Sequence, residues 1–201
     1  MNSVPVDPPS RGDGQAAITN AAREIFSANG YSGTSIRDIA KKAGLSLSAL
    51  YYWYPSKQEL LAAIIEDADR DYHERCSRAL EAVGADPAAR LAGLVRTTIE
   101  FRVDRRVDSI IGATELRNLD AKRHAYIMKR SRIATAIWTD IIDDGVERGV
   151  FRCEYPEEAR RTIIAACNAV AQWYRRRGKV NREQLVGRYV DIAYRVVDYR
   201  G

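Results

Sequence analysis

The sequence has no run of about 18 apolar residues, the length a helix needs to cross a bilayer, so no membrane span is expected. Residues 1–14 carry Pro5, Pro8, Pro9, Gly12 and Gly14 in place of an apolar segment, which argues against a secretory signal. Cysteine is sparse. Cys76, Cys153 and Cys167 form an odd set with neither CxxC nor His-paired zinc spacing, so reduced thiols in a cytoplasm are expected. A redox-sensing cysteine is the alternative role. His73 and His124 are too few and too separated for a metal site or a catalytic dyad. There is no nucleophile–base pair, no metal-ligand cluster and no glycine-rich phosphate loop, so the chain does not read as an enzyme and calls for no metal or cofactor. Strand alternation and internal repeats are also missing.

What remains is a succession of helical patterns. Gln15 to Asn29 places Ala16, Ile18, Ala22, Ile25 and Phe26 on one face and stops at Asn29-Gly30. A long helix starts near Ser56 and runs to about Ala82 without Gly or Pro. Gly84, Asp86 and Pro87 break it, and 87–103 follows as a helix with Arg102 among its inward positions. A shorter helix from Asp108 to Asn118, a long one over 121–148, and two broadly apolar helices over 157–177 and 182–198 complete the chain. The expectation is an all-α protein of about nine helices. Residues 1–13 are expected as a disordered arm, in which Arg11 is either loose or a minor-groove contact.

The densest signals lie between Ser35 and Lys57, in SIRDIAKKAGLSLSALYYWYPSK. Ser35 with Asp38, and Ser56 with Glu59, read as capping boxes, and Ser46 can cap the helix between them. Gly44 stands where a helix needs a left-handed residue to end. Two short helices around a glycine turn are the helix-turn-helix layout, whose second helix enters a DNA major groove. Tyr51, Tyr52, Trp53 and Tyr54 are consecutive, so a helix must turn some of them to solvent, where hydroxyls can donate to phosphate. The bland alternative is that the four rings staple two helices together. The formal charge of +5 adds little to this argument. Its excess falls elsewhere, at Arg175, Arg176, Arg177, Lys179 and Arg182, where composition alone reads as a solvated surface.

Residues from about Gln15 to Leu61 resemble the N-terminal domain of the TetR family of transcriptional regulators, through AAITNAAREIFSANGY, TSIRDIAKKAGLS and LYYWYPSKQELL. Trp53 stands where that family commonly has histidine, and an indole offers one N–H and no charge. The resemblance implies a three-helix DNA-binding domain over 14–60 and an effector-binding and dimerisation domain over 61–201. It implies backbone contacts from Ser35 and Arg37, and a groove face of Ser46, Leu47, Ser48 and Ala49. It implies phosphate contacts from Tyr51 and Lys57, with Trp53 in the same aromatic segment and Tyr52 either in the groove or against the core. It further implies an operator read as a palindrome by a homodimer built through the last two helices.

The effector is less defined. The apolar central helices either surround a pocket or fill a solid core. Arg102, Glu115, Trp138, Asn168 and Gln172 are the candidate effector contacts, and Glu115 with Arg117 reads equally as a surface pair. The segment AVAQWYRRRGKVNREQLVGRYVDIA is similar to family members tied to fatty-acid and sterol catabolism, which implies an acyl-CoA or related lipid metabolite. Arg175 to Lys179 would then attract its phosphates, or else complete a helix dipole. The expected function is a sequence-specific repressor released by a largely apolar effector. The alternatives are an activator of the same fold and a ligand-independent architectural DNA binder. Leu47→Ala is expected to change base preference, whereas Tyr51→Ala weakens binding at every sequence. Binding measured over an operator library separates the two effects.

Overall fold

A computed structural model of the protein describes residues 11–201. Those residues form nine α-helices and no strand. The head is built from α1 (Arg11–Asn29), α2 (Ile36–Lys42), α3 (Leu47–Trp53) and the start of α4 (Lys57–Val83). The body consists of the rest of α4, α5 (Pro87–Asp104), α6 (Arg106–Glu115), α7 (Ala121–Glu147), α8 (Pro156–Trp173) and α9 (Arg182–Val196), with a short 3-10 turn at Leu116–Asn118. Residues 1–10 of the expected arm lie outside the described residues. The remainder of that arm, 11–13, is already helical, and the groove role weighed for Arg11 concerns a side chain outside the description.

The serine caps form as expected, but the two capping boxes are only half made, since Asp38 receives the Ser35 hydroxyl and Glu59 receives Arg123 rather than the cap backbone N–H. The Ser35, Ser46 and Ser56 side chains each accept from the backbone N–H three residues on, at 3.1 Å in every case. Each satisfies one of the donors that a helix start leaves free, a contribution of about 1 kcal/mol. Gly44 takes φ +70° between α2 and α3, a conformation that any side chain would strain. α5 starts on Asp86 with Pro87 in its first turn, and α9 starts on a full capping box of Asn181 and Gln184.

Two apolar cores form. One joins Ile18, Ala22 and Phe26 of α1 to Ile39, Leu50, Leu60, Leu61 and Ile64. It also takes in Ile111 of α6, Leu119, and Ile127 of α7, so the head's core runs past residue 60 into the body. The second surrounds α5, which packs against α4, α6, α7, α8 and α9. Trp138 lies in that core at 3% exposure.

One helix departs from its pattern. α8 was expected to reach residue 177 but ends at Trp173. Tyr174 leaves the helix in an extended conformation and buries its ring against the body core, while its N–H still caps Val170 O. The Arg175–Lys179 run therefore lies beyond the helix, although Arg175 still donates to Gln172 O in the last turn of α8 and so caps that helix end.

Gly145 sits inside α7 with the Phe151 ring against its Cα, where an added Cβ would overlap the ring. Gly145→Ala should therefore lose about 1–3 kcal/mol from overpacking despite a helix-propensity gain of up to about 1 kcal/mol. Urea denaturation measures it, and an unchanged or higher midpoint would mean that Phe151 swings clear.

Candidate DNA-binding face and effector cavity

The exposed side of α3 and its flanks gathers most of the residues expected to meet DNA. Arg37, Ser46 and Ser48 are exposed, and Tyr51 and Tyr52 expose 44% and 69% of their surface. Tyr52 thus points to solvent rather than into the core, with its ring set edge-on to Trp53 at 5.3 Å. Trp53 and Leu47 are only half-exposed and lean on the head's core, and Tyr54 is buried. Ala49 is half-buried. The Ser35 hydroxyl is 2.5 Å from the Asp38 carboxylate, so its proton is already engaged.

Lys57 is placed otherwise than expected. Its Nζ donates to Tyr31 O at 2.7 Å and Thr34 O at 2.8 Å, and lies 4.1 Å from the Tyr31 ring centroid. Two of its three protons hold the α1–α2 loop in place. Its main visible role is to fix the position of α2 and α3, with one N–H left over.

The body contains a cavity of ≈ 420 Å³ bounded by α4, α5, α6, α7 and α8. Its wall is mostly apolar, through residues such as Ile65, Phe101, Leu116 and Ile127. Arg102 enters it from α5. The guanidinium donates to Asn168 Oδ1 at 2.8 and 3.1 Å and to Ser109 Oγ at 3.2 Å, and it lies over the Tyr72 and Phe101 rings. All of these partners are neutral. Burial lowers the arginine's pKa, which signals the desolvation of a cation with no carboxylate beside it. Gln172 shares the wall with Asn168 one turn away.

Three of the five candidate effector contacts therefore meet: Arg102, Asn168 and Gln172. The other two do not. Trp138 is part of the solid core. Glu115 is 8% exposed and accepts from Tyr31 N–H at 3.1 Å and Asn118 Nδ2 at 2.8 Å, so it is neither a cavity residue nor paired with Arg117 at the surface. It is buried because it ties the end of α6 to the head. Tyr72 and Ser109 are cavity residues that the sequence left unmarked. A tyrosine on the buried side of α4 gave no sign of facing a void rather than a neighbour.

α6 has two working faces. Ser109, Gly112 and Ala113 line the cavity. Asp108, Ile111 and Glu115, spaced by three and four residues, meet the head. Asp108 is 7% exposed and receives Arg23 Nε of α1 at 2.7 Å and Arg105 Nε at 2.9 Å. Arg23 and Arg105 also reach Asp67 of α4. Apart from Arg105–Asp108, three residues apart, none of these ion pairs has a sequence signature, because their partners are 38 to 85 residues apart. Burial raises the Cys76 thiol to about 11 and the Cys167 thiol to about 12, which keeps both protonated at neutral pH and unsuited to thiolate-based sensing.

Comparison with known proteins agrees with this architecture. Residues 18–64 match the family described as bacterial regulatory proteins, tetR family. Residues 84–197, more than half the chain, match the tetracyclin repressor-like C-terminal domain. The transcriptional repressor KstR2 of Rhodococcus jostii is 28% identical over 201 residues, covering 96% of each chain. A tetR-family regulatory protein from Rhodococcus RHA1 superposes with a TM-score of 0.85 at 30% identity, over 96% of this chain and 100% of that one. AibR, solved with isovaleryl coenzyme A and operator DNA, shares the fold at a TM-score of 0.80 and 22% identity, over 93% and 100% of the two chains. No described helix is long and apolar enough to cross a membrane. The chain belongs to the TetR family of bacterial regulatory proteins, and is a DNA-binding regulator of transcription rather than an enzyme.

Proposed function

We propose that the protein is a repressor that leaves its operator when a largely apolar effector, an acyl-CoA or related lipid metabolite, occupies the α4–α8 cavity. The observation that carries this reading is Arg102, a desolvated guanidinium in a mostly apolar chamber with only neutral partners. A ligand that fills the apolar volume and offers a carbonyl or anion would complete its hydrogen bonding. The cavity volume lies within the range of about 300–1,000 Å³ usual for ligand sites. KstR2 is named a transcriptional repressor, which favours repression, and AibR was solved with a CoA thioester.

On this reading α3 meets the major groove through Ser46, Leu47, Ser48 and Ala49, with Tyr51 and Tyr52 beside the backbone. Two heads would be paired through α8 and α9, where Trp173 and Ile192 are half-exposed and Trp173 stacks on Tyr189. α4 runs from the head into the body and is one route between them. The contacts favour α6 as its partner, since a ligand at Arg102 and Ser109 presses on the helix whose opposite face holds α1. Release follows if the ligand binds more tightly to the α6 position that misplaces the heads.

The first test is a titration of the protein against DNA from upstream of its own gene, or against sites recovered by random selection. It is run with excess competitor at near-physiological salt, with and without long-chain acyl-CoA. Competitor-resistant binding that acyl-CoA abolishes is expected. Binding indifferent to sequence would overturn specific regulation, and binding indifferent to acyl-CoA would overturn the effector class. A second variant probes the coupling. Arg23→Met should retain effector affinity within about threefold but require at least about tenfold more effector for operator release, a coupling loss of about 1.4 kcal/mol. Unchanged release would exclude the Arg23–Asp108 contact from the route.

A further inference from the structure

Among the described arginines, Arg106, which opens α6, has a buried guanidinium nitrogen, Nε, without a hydrogen-bond partner. It lines a second cleft of ≈ 280 Å³ together with Val103, Asp104, Tyr174, Arg175 and Arg176. The two carboxylates at this cleft are already paired, Asp104 in part with the cleft's own Arg176 and neither with Arg106. Asp104 receives Arg75, Arg176 and Arg182 at 3.2–3.3 Å. Asp108 is held by Arg23 and Arg105. Arg175 donates only to the backbone carbonyls of Gln172 and Tyr174. The cleft therefore carries surplus positive charge, and no side chain caps the first turn of α6 there. It adjoins the effector cavity, since Asp108 borders both.

We infer that this cleft is an anion seat for a phosphate group on the same ligand whose apolar part fills the cavity. A buried N–H with no partner is costly to maintain, and a phosphate satisfies it with a charge-assisted hydrogen bond while meeting the guanidinium's more exposed N–H groups as well. The inference rests on the effector reading above and adds to it that the phosphorylated carrier, as well as the acyl group, is recognised. Arg106 is the central contact, with Arg175 and Arg176 on the rim. The α8 end matters here for a geometric reason. Because the helix stops at Trp173, the chain turns and brings Arg175 and Arg176 over the start of α6.

The test compares decanoyl-CoA with S-decanoyl-pantetheine, which keeps the thioester and lacks the phosphates. Titration calorimetry is run on the full-length wild type, Arg106→Gln and Arg106→Lys. The wild type should prefer decanoyl-CoA by roughly 10- to 100-fold, as expected of hydrogen bonds to charged groups. Arg106→Gln should remove most of that preference without moving the pantetheine affinity, and Arg106→Lys should restore part of it. CoA without an acyl group should compete for the wild type and not for Arg106→Gln.

Equal affinities in the wild type would overturn the anion seat, and if acyl-CoA still released the operator, the effector reading would stand without it. A parallel loss of both affinities in Arg106→Gln would also overturn it, by making Arg106 structural. An unchanged preference with a smaller mass by light scattering would assign Arg106 to a carboxylate of a second copy of the chain and overturn the seat. Binding of neither thioester would overturn the seat and the effector reading together.

Discussion

The set of the DNA-binding head on the body depends on a carboxylate that cannot be left alone. Asp108 is buried at the seam between α6 and α1, and only the guanidinium groups of Arg23 and Arg105 offset the cost of removing its charge from water. Losing one partner of such a pair typically costs about 3–5 kcal/mol, because the other charge stays buried. The pair therefore adds little net stability compared with an apolar seam, but it gives the seam a defined geometry. An apolar contact such as Ile111 tolerates sliding, whereas a two-armed ion pair does not. The head must follow α6, and α6 forms one wall of the cavity.

Lys57 extends the same constraint within the head. Its ammonium closes the α1–α2 loop by binding two carbonyls, Thr34 O and the Tyr31 O that also accepts the Thr34 N–H at 3.3 Å. α2 and α3 are seven residues each, too short to be stable as isolated helices. They hold their form through serine caps, burial of Ile39 and Leu50, and this lysine. A charged residue near a DNA surface can thus contribute mainly by making the surface rigid. The surface of α2 and α3 also presents the exposed Arg37, Lys41, Ser46, Ser48, Tyr51 and Tyr52.

What could be read from the sequence follows from how local each signal is. Helix starts at Ser35, Ser46, Ser56 and Pro87 depend on residues within one turn, so type and spacing were enough. The end of α8 depends on a nonlocal event, the burial of Tyr174 against the body, and the pattern of residues 157–177 carries no trace of it. The cavity shows the same division. Arg102, Asn168 and Gln172 stood out as polar groups in apolar segments, and the fold brings them together. Glu115 and Trp138 had the same local appearance. One is consumed by a backbone N–H 84 residues away and the other by the core. Periodicity tells which way a side chain points from its helix, but not whether it meets packing or a void there.

Arginine use in this chain then becomes a means of separating structure from function. Most ion pairs here are made by arginine, and those at the head–body seam share acids in a way that keeps each carboxylate covered by two or more cations. Asp67 and Asp104 are each contacted by three. A surface evolved only for solubility would spread its charge and leave its cations in water. Arg102 and Arg106 fit neither pattern: the first is desolvated, the second has a buried Nε without a partner, and neither makes an ion pair among the described residues. They flank the α5–α6 junction and face two adjoining cavities. An unmet cation of this kind lowers the stability of the empty protein and is offset only when an outside group arrives. On the proposed reading, that asymmetry gives a ligand differential affinity for one arrangement of α6, the thermodynamic requirement for a regulator that responds to what it binds.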